Sequence, residues 1–279
     1  MQKILAAFDG LRYSESTCQY AMDVAASSGA FLIGVFLDDK TYTSYKIYEL
    51  VMEQGVSESR LHQYKERDQH LRAISSQTFM NSCRSKKVNC AIHHDSNIAL
   101  QDLLHETVFT DLLIIDGSES FTHYEEPHPT RFIRDVLSNT QSPVLLVPQT
   151  YQKIEKIIFL YDGANPSVYA IKMFSYLMTA YASLPVEVFC IKSMDSNLHL
   201  PDNKLMKELI SRHYQHVEYV VVKGLPEVEV VNHLRKVKEN ALVVMGAYRR
   251  TMLSRWFKSS LADAIVKELD IPLFIAHNK

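Results

Sequence analysis

The chain repeats itself once. Lys3-Ile-Leu-Ala-Ala-Phe-Asp9-Gly10 returns as Lys156-Ile-Ile-Phe-Leu-Tyr-Asp162-Gly163 at a shift of 153, and Ser167 falls where Ser14 does, five residues after the aspartate. Both copies therefore carry Asp-Gly-x-x-x-Ser. Further along, a shift of 129 matches Val88 with Val217, Gly117 with Gly246, Thr130 and Arg131 with Ser259 and Ser260, and Pro143 with Pro272. A period this long is not a solenoid repeat; it indicates two copies of one domain. At 279 residues each copy has enough chain to bury its own core. The expected domains are residues 1–150 and 151–279.

Within the first copy, short apolar runs alternate with helical patterns. Lys3 to Phe8, Ala30 to Leu37, Val88 to His93, Asp111 to Asp116 and Pro143 to Val147 read as strands. Ser14 to Ala25, Ala99 to Val108 and Arg131 to Leu137 read as helices between them, the pattern of a parallel α/β sheet. The stretch from Lys40 to about Lys87 is long for one crossover and holds two expected helices, Tyr45 to Glu53 and Ser57 to Cys83. Pro148 to Glu155 is polar and serves as the linker. The last strand of each copy, Pro143 to Val147 or Pro272 to Ala276, is the expected sheet edge, and pairing the two would remove an exposed edge at a pseudo-twofold interface.

Composition removes several classes of function. Apolar residues make up 47% and the net charge is -2, so nothing draws the chain as a whole toward nucleic acid or membrane. Cys18, Cys83, Cys90 and Cys190 form no CxxC pair and read as reduced small hydrophobes. The start reads as no secretory signal, and no apolar run reaches spanning length, so a cytoplasmic location is expected. There is no Gly-x-Ser-x-Gly elbow, Walker-type loop or His-Glu-x-x-His, and no enzyme is expected. His93, His94, Asp95, His123 and His128 match no metal-ligand spacing, and no metal site is assigned.

Ligands of open parallel sheets bind at the carboxyl ends of strands, where Asp9, Asp162, Gly117 and Gly246 all fall. An aspartate there accepts hydrogen bonds from ribose hydroxyls; alternatively Asp-Gly only turns the chain, with Ser14 and Ser167 capping the next helix. The stretch Gly246 to Ser260 resembles an anion site, because a strand ends in glycine, crosses a basic loop and enters a helix with free N–H groups. Trp256 and Phe257 in that loop read as packing residues.

Asp-Gly-x-x-x-Ser, Gly224-Leu-Pro226, Met245-Gly246 with its basic loop, and Ile271-Pro272-Leu-Phe-Ile together resemble the universal stress protein family across nearly the whole chain. The resemblance implies two tandem domains of the adenine nucleotide alpha hydrolase-like fold, each with a five-stranded parallel sheet of order 3-2-1-4-5. One subclass holds ATP between the first and fourth strand ends through Gly-x2-Gly-x9-Gly followed by Ser or Thr. Laid on that pattern, the second half keeps Gly246 and Ser260 but has Arg249 and Ser259 for the other glycines; the first keeps only Gly117, with Ser120, Thr130 and Arg131 elsewhere. The motif is broken in both halves, since side chains at glycine positions close a phosphate cradle.

Charge separates the copies. Gly246 to Ser259 holds Arg249, Arg250, Arg255 and Lys258 with no acid, whereas Gly117 to Thr130 holds Glu119, Glu125 and Glu126 with no Lys or Arg. Phosphate is repelled by the acids of the first half and drawn to the basic loop of the second. A solvated basic surface is the alternative there. The expectation is a non-catalytic stress-response protein without a cofactor. It would act as an intramolecular pseudo-dimer through an anion, an unidentified protein partner or another copy of itself. The alternative is an ATP-binding protein or slow ATPase using Asp162, Gly246, Arg249, Ser259 and Ser260. A contact surface on the insertion Tyr45 to Cys83 is a third reading.

Overall fold

The computed structural model describes residues 1–37, 43–44, 58–95, 98–122, 124–247, 265–266 and 268–277. The first half runs β1 (Lys3–Asp9), α1 (Glu15–Ser28), β2 (Phe31–Leu37), α2 (Glu58–Ser85), β3 (Cys90–Asp95), α3 (Ala99–Thr107), β4 (Leu112–Asp116), α4 (Arg131–Asn139) and β5 (Val144–Val147). The second runs β6 (Lys156–Leu160), α5 (Asn165–Leu177), a 3-10 turn (Thr179–Tyr181), β7 (Val186–Lys192), α6 (Asn203–Ser211), β8 (Val217–Lys223), α7 (Pro226–Leu234), β9 (Ala241–Ala247) and β10 (Leu273–His277).

All the strands belong to one sheet, ordered β3-β2-β1-β4-β5-β10-β9-β6-β7-β8. Each half is thus a parallel 3-2-1-4-5 sheet, and the halves meet where β5 and β10 pair antiparallel. Leu273 lies opposite Leu146, Phe274 opposite Leu145 and Ile275 opposite Val144. The edge pairing expected from the sequence is present. Among the described residues, β3 and β8 are the edges of this sheet.

The strands are apolar at nearly every position because both faces are covered. Ile4, Ala6 and Phe8 point into a core shared with Tyr20, Phe79, Phe174 and Ile210, on the side of α1, α2, α5 and α6. Leu5 and Ala7 point the other way, into a core with Leu103, Ile133 and Val230 of α3, α4 and α7. The second expected helix of the insertion is α2. It docks through Phe79 and Cys83, and the Ser75 hydroxyl donates to the Gly10 carbonyl at 2.9 Å. Gly34 makes room for it, since a Cβ there would stand 2.7 Å from the Phe79 ring. The expected helix Tyr45 to Glu53 lies outside the described residues. Among those described, no helix is long and apolar enough to cross a membrane.

Register corrects two matches made from the sequence. Ile4 pairs with Leu32 and Ile157 with Val186; Leu32 then faces Cys90, and Val186 faces Val217. The counterpart of Val217 is therefore Cys90, not Val88. Likewise Ile4 faces Leu112 while Ile157 faces Leu242, which sets Asp116, not Gly117, in the place of Gly246. Matching glycine to glycine slips the strand by one residue, and one residue exchanges the two faces of a strand.

Candidate functional site

The carboxyl ends of β1 and β4 form the first crevice, and the chain fills it with its own groups. Asp9 is buried; its Oδ1 accepts the Leu11 N–H at 2.8 Å, and its Oδ2 lies 3.9 Å from Arg12 Nε. The Arg12 guanidinium also donates to the Thr122 carbonyl at 3.1 Å, tying the loop after β4 across the mouth. Asp116 Oδ2 accepts the Ser14 hydroxyl at 3.0 Å, while Oδ1 accepts the Ser118 N–H at 2.8 Å and its hydroxyl at 2.6 Å. Ser14 in turn caps α1 by accepting from the Thr17 N–H. Gly117 lines a neighbouring cavity of about 320 Å³ beside Val266 and Ile271.

Glu119 closes the same loop. Burial pushes its pKa up to about 8, and the negative charges of Asp9 and Asp116 act in the same direction. Its carbonyl accepts the Thr130 hydroxyl, and Thr130 caps α4 through the Ile133 N–H at 3.2 Å. The start of α4, where an anion would sit, already holds one. Glu126 Oε2 accepts the Arg131 N–H at 2.7 Å, and a carboxylate is favoured at a helix N-terminus just as a phosphate is.

The second crevice is arranged differently. Asp162 follows β6 and is half-buried; its Oδ1 accepts the Ala164 N–H at 2.9 Å and the Ser167 hydroxyl at 2.7 Å. Oδ2 makes no hydrogen bond among the described residues. Ser167 is not the cap expected from the sequence, because α5 starts earlier, with Ala164 in the cap position. Gly246 lies against that helix start. A Cβ on it would be 2.3 Å from the Pro166 carbonyl oxygen and 2.7 Å from the Ser167 nitrogen, so only glycine fits. Arg249, Ser259 and Ser260, with Arg250, Arg255, Trp256, Phe257 and Lys258, lie outside the described residues.

Of the expected site residues, Asp9 stands with Asp116 and Glu119, and Asp162 reaches Gly246 through Ser167. Arg12 and Asp116 were missed. Aligning the apolar runs Leu112–Ile115 and Leu242–Met245 end to end would have found Asp116; nothing in the sequence singles out Arg12. Another polar cluster lies at the opposite, amino end of the strands. Glu187 on β7 is buried and accepts Lys156 Nζ at 2.7 Å and His233 Nε2, whose ring stacks on Phe189 at 4.1 Å. Burial raises the Glu187 pKa, but the hydrogen bonds from His233 and Lys156 outweigh it and hold it below the usual carboxylate value. Among the histidines weighed as ligands, His93 is bound to Glu106 at 2.7 Å and His94 lies against the Phe36 ring; His123 is outside the described residues. No group of three or more His, Cys, Asp or Glu among the described residues could hold a metal ion.

The overall fold recurs in solved structures. A universal stress protein from Archaeoglobus fulgidus DSM 4304 aligns over 99% of this chain and 98% of its own, with a TM-score of 0.69 and 9% identity. This chain has the universal stress protein fold. A functionally unknown protein from Pseudomonas aeruginosa PAO1 shares it over 99% of this chain and 92% of its own, with a TM-score of 0.62 and 11% identity. The sequence matches no protein-family model and no curated protein. The likeness to universal stress proteins is thus one of fold, and the chemistry rests on this chain's own residues.

Proposed function

We propose that the chain acts in the stress response of the cytoplasm without catalysing a reaction, as an intramolecular pseudo-dimer that recognises an anion or a protein partner. The observation that carries this reading is the closure of the first crevice by its own carboxyl groups. A nucleotide there would meet Asp9, Asp116 and Glu119, and its phosphates would have to displace Glu126 from the start of α4. Calorimetric titration of the whole chain with ATP and magnesium tests this. The expected result is no micromolar binding; micromolar binding would overturn the non-nucleotide reading.

Asp162 supports a second reading, an adenine-nucleotide binder using the second half alone. Its Oδ2, which makes no hydrogen bond among the described residues, would take a ribose hydroxyl, Gly246, Ser259 and Ser260 would hold phosphates, and Arg249 would supply charge where the ATP motif has glycine. Among the described residues no base for an attacking water stands by, so binding rather than hydrolysis is proposed. If Arg249→Glu and Ser260→Ala leave nucleotide affinity unchanged, this second reading is wrong.

A further inference from the structure

A cavity of about 550 Å³ opens at the junction of the halves, away from both crevices. It lies on the face where α1 packs near β5 and the 3-10 turn, and α5 packs near β10. Tyr20 and Asp23 of α1, Tyr151 and Ile154 of the linker, Tyr181 of the 3-10 turn, and Leu184 line it. The size is that of a small-molecule site.

Its polar groups are fixed. The Tyr20 hydroxyl donates to the Gln152 carbonyl at 2.9 Å and accepts the Gln152 N–H at 3.2 Å, which binds the linker to α1. The Tyr20 and Tyr151 rings meet edge to face, 4.8 Å between centroids. Asp23 Oδ1 accepts Lys86 Nζ at 2.8 Å and Oδ2 accepts the Tyr151 hydroxyl. A carboxylate offers about four lone-pair sites, so each oxygen keeps room for a further donor. The Tyr181 hydroxyl makes no hydrogen bond among the described residues. Burial raises the pKa of all three phenols, and the negative charge of Asp23 raises each of them further. Asp23 sets a negative potential at the rings, offset in part by its ion pair with Lys86, and Lys153 lines the cavity from an exposed position.

Aromatic rings beside a carboxylate and an apolar wall attract a positive charge carried on an apolar body. We propose that this junction cavity binds an organic cation, a substituted ammonium attached to a small aromatic or alkyl group. Tyr151 and Ile154 belong to the linker, so two separate domains pairing by the same seam would lack this wall. The site is a product of the fusion, and it is independent of whether either crevice takes a nucleotide.

The test uses the whole chain and phenyltrimethylammonium, with uncharged tert-butylbenzene as its isostere, in ligand-observed NMR titrations. The cation is expected to bind about tenfold or more tightly than the isostere. Asp23→Asn is expected to weaken it by about tenfold. Ala180→Trp, which fills the cavity from an exposed position, is expected to abolish binding while leaving the melting curve unchanged. Absence of cation binding to the native chain, equal affinity for the isostere, or full affinity in a folded Ala180→Trp protein would each overturn the proposal.

Discussion

Asp116 occupies in the first half the place that Gly246 occupies in the second, and each meets the helix start beside it differently. The Asp116 carboxylate accepts the hydroxyl of Ser14, the cap of α1, at 3.0 Å. Gly246 has no side chain, and the backbone of Pro166 and Ser167 comes down onto it. A side chain makes the contact in the first half, and the main chain makes it in the second.

This contrast predicts unequal responses to one methyl group. Gly246→Ala places a Cβ against backbone that cannot turn aside and is expected to cost about 3 kcal/mol. Gly117→Ala, whose Cβ would meet nothing nearer than the Val147 carbonyl at 3.7 Å, is expected to cost no more than about 1 kcal/mol. Urea denaturation measures both, and equal costs would contradict the register that separates the two glycines.

Glu119 predicts a loss of stability toward alkaline pH. With its folded pKa near 8 and an unfolded value of about 4.3, the native state binds the extra proton between them. Stability from this group is therefore present at the acid end of that window and declines as pH rises through it. Melting temperatures across the window are expected to fall with pH in the native protein, and less steeply in Glu119→Gln. The same slope in both would show that Glu119 is not the group responsible.

Glu187 predicts the opposite slope at the acid end. Its folded pKa is lowered, so its contribution is complete above the unfolded value of about 4.3 and is lost as pH falls through the folded one. Glu187→Ala leaves Lys156 half-buried without its carboxylate and is expected to cost about 3 kcal/mol at neutral pH. The Glu187→Gln protein should show a weaker dependence on acid than the native chain, measured by urea midpoints at a series of pH values.

The seam predicts that the halves unfold together. Phe274 is fully buried, lies opposite Leu145 and packs edge to face on Phe174 at 5.2 Å. Phe274→Ala is expected to cost about 3–5 kcal/mol. Hydrogen exchange should show β1 and β6 amides losing protection to the same extent in that variant. Loss confined to β6 would mean that the halves are independent.

The fold was legible because its signals are redundant. Apolar runs bounded by Asp-Gly and Pro marked the strands, and their return in the same order in the second half gave the tandem arrangement, the pattern of β1 and β6 above all. The strand edges to be joined were legible because an open sheet has few. The crevices were less so. Arg12 reaches Thr122 across more than a hundred residues, and Glu126 finds the start of α4 through a loop whose path no local pattern dictates. Asp116 was hidden by a neighbouring glycine that offered an attractive but wrong match. Lys156 and Glu187, on adjacent strands, became partners only once the register was known.

The seam between β5 and β10 also settles a question of company. Two separate domains joined along such an edge could exchange partners, and every exchange would test each copy for whatever the pair does together. Here the neighbour is covalent, present at equal amount and always the same. Such a pair has no need to remain alike: one copy can fill its crevice with its own acids, as around Asp116, while the other keeps an aspartate, Asp162, with one oxygen that makes no hydrogen bond among the described residues. Divergence between the halves is what a permanent partner permits.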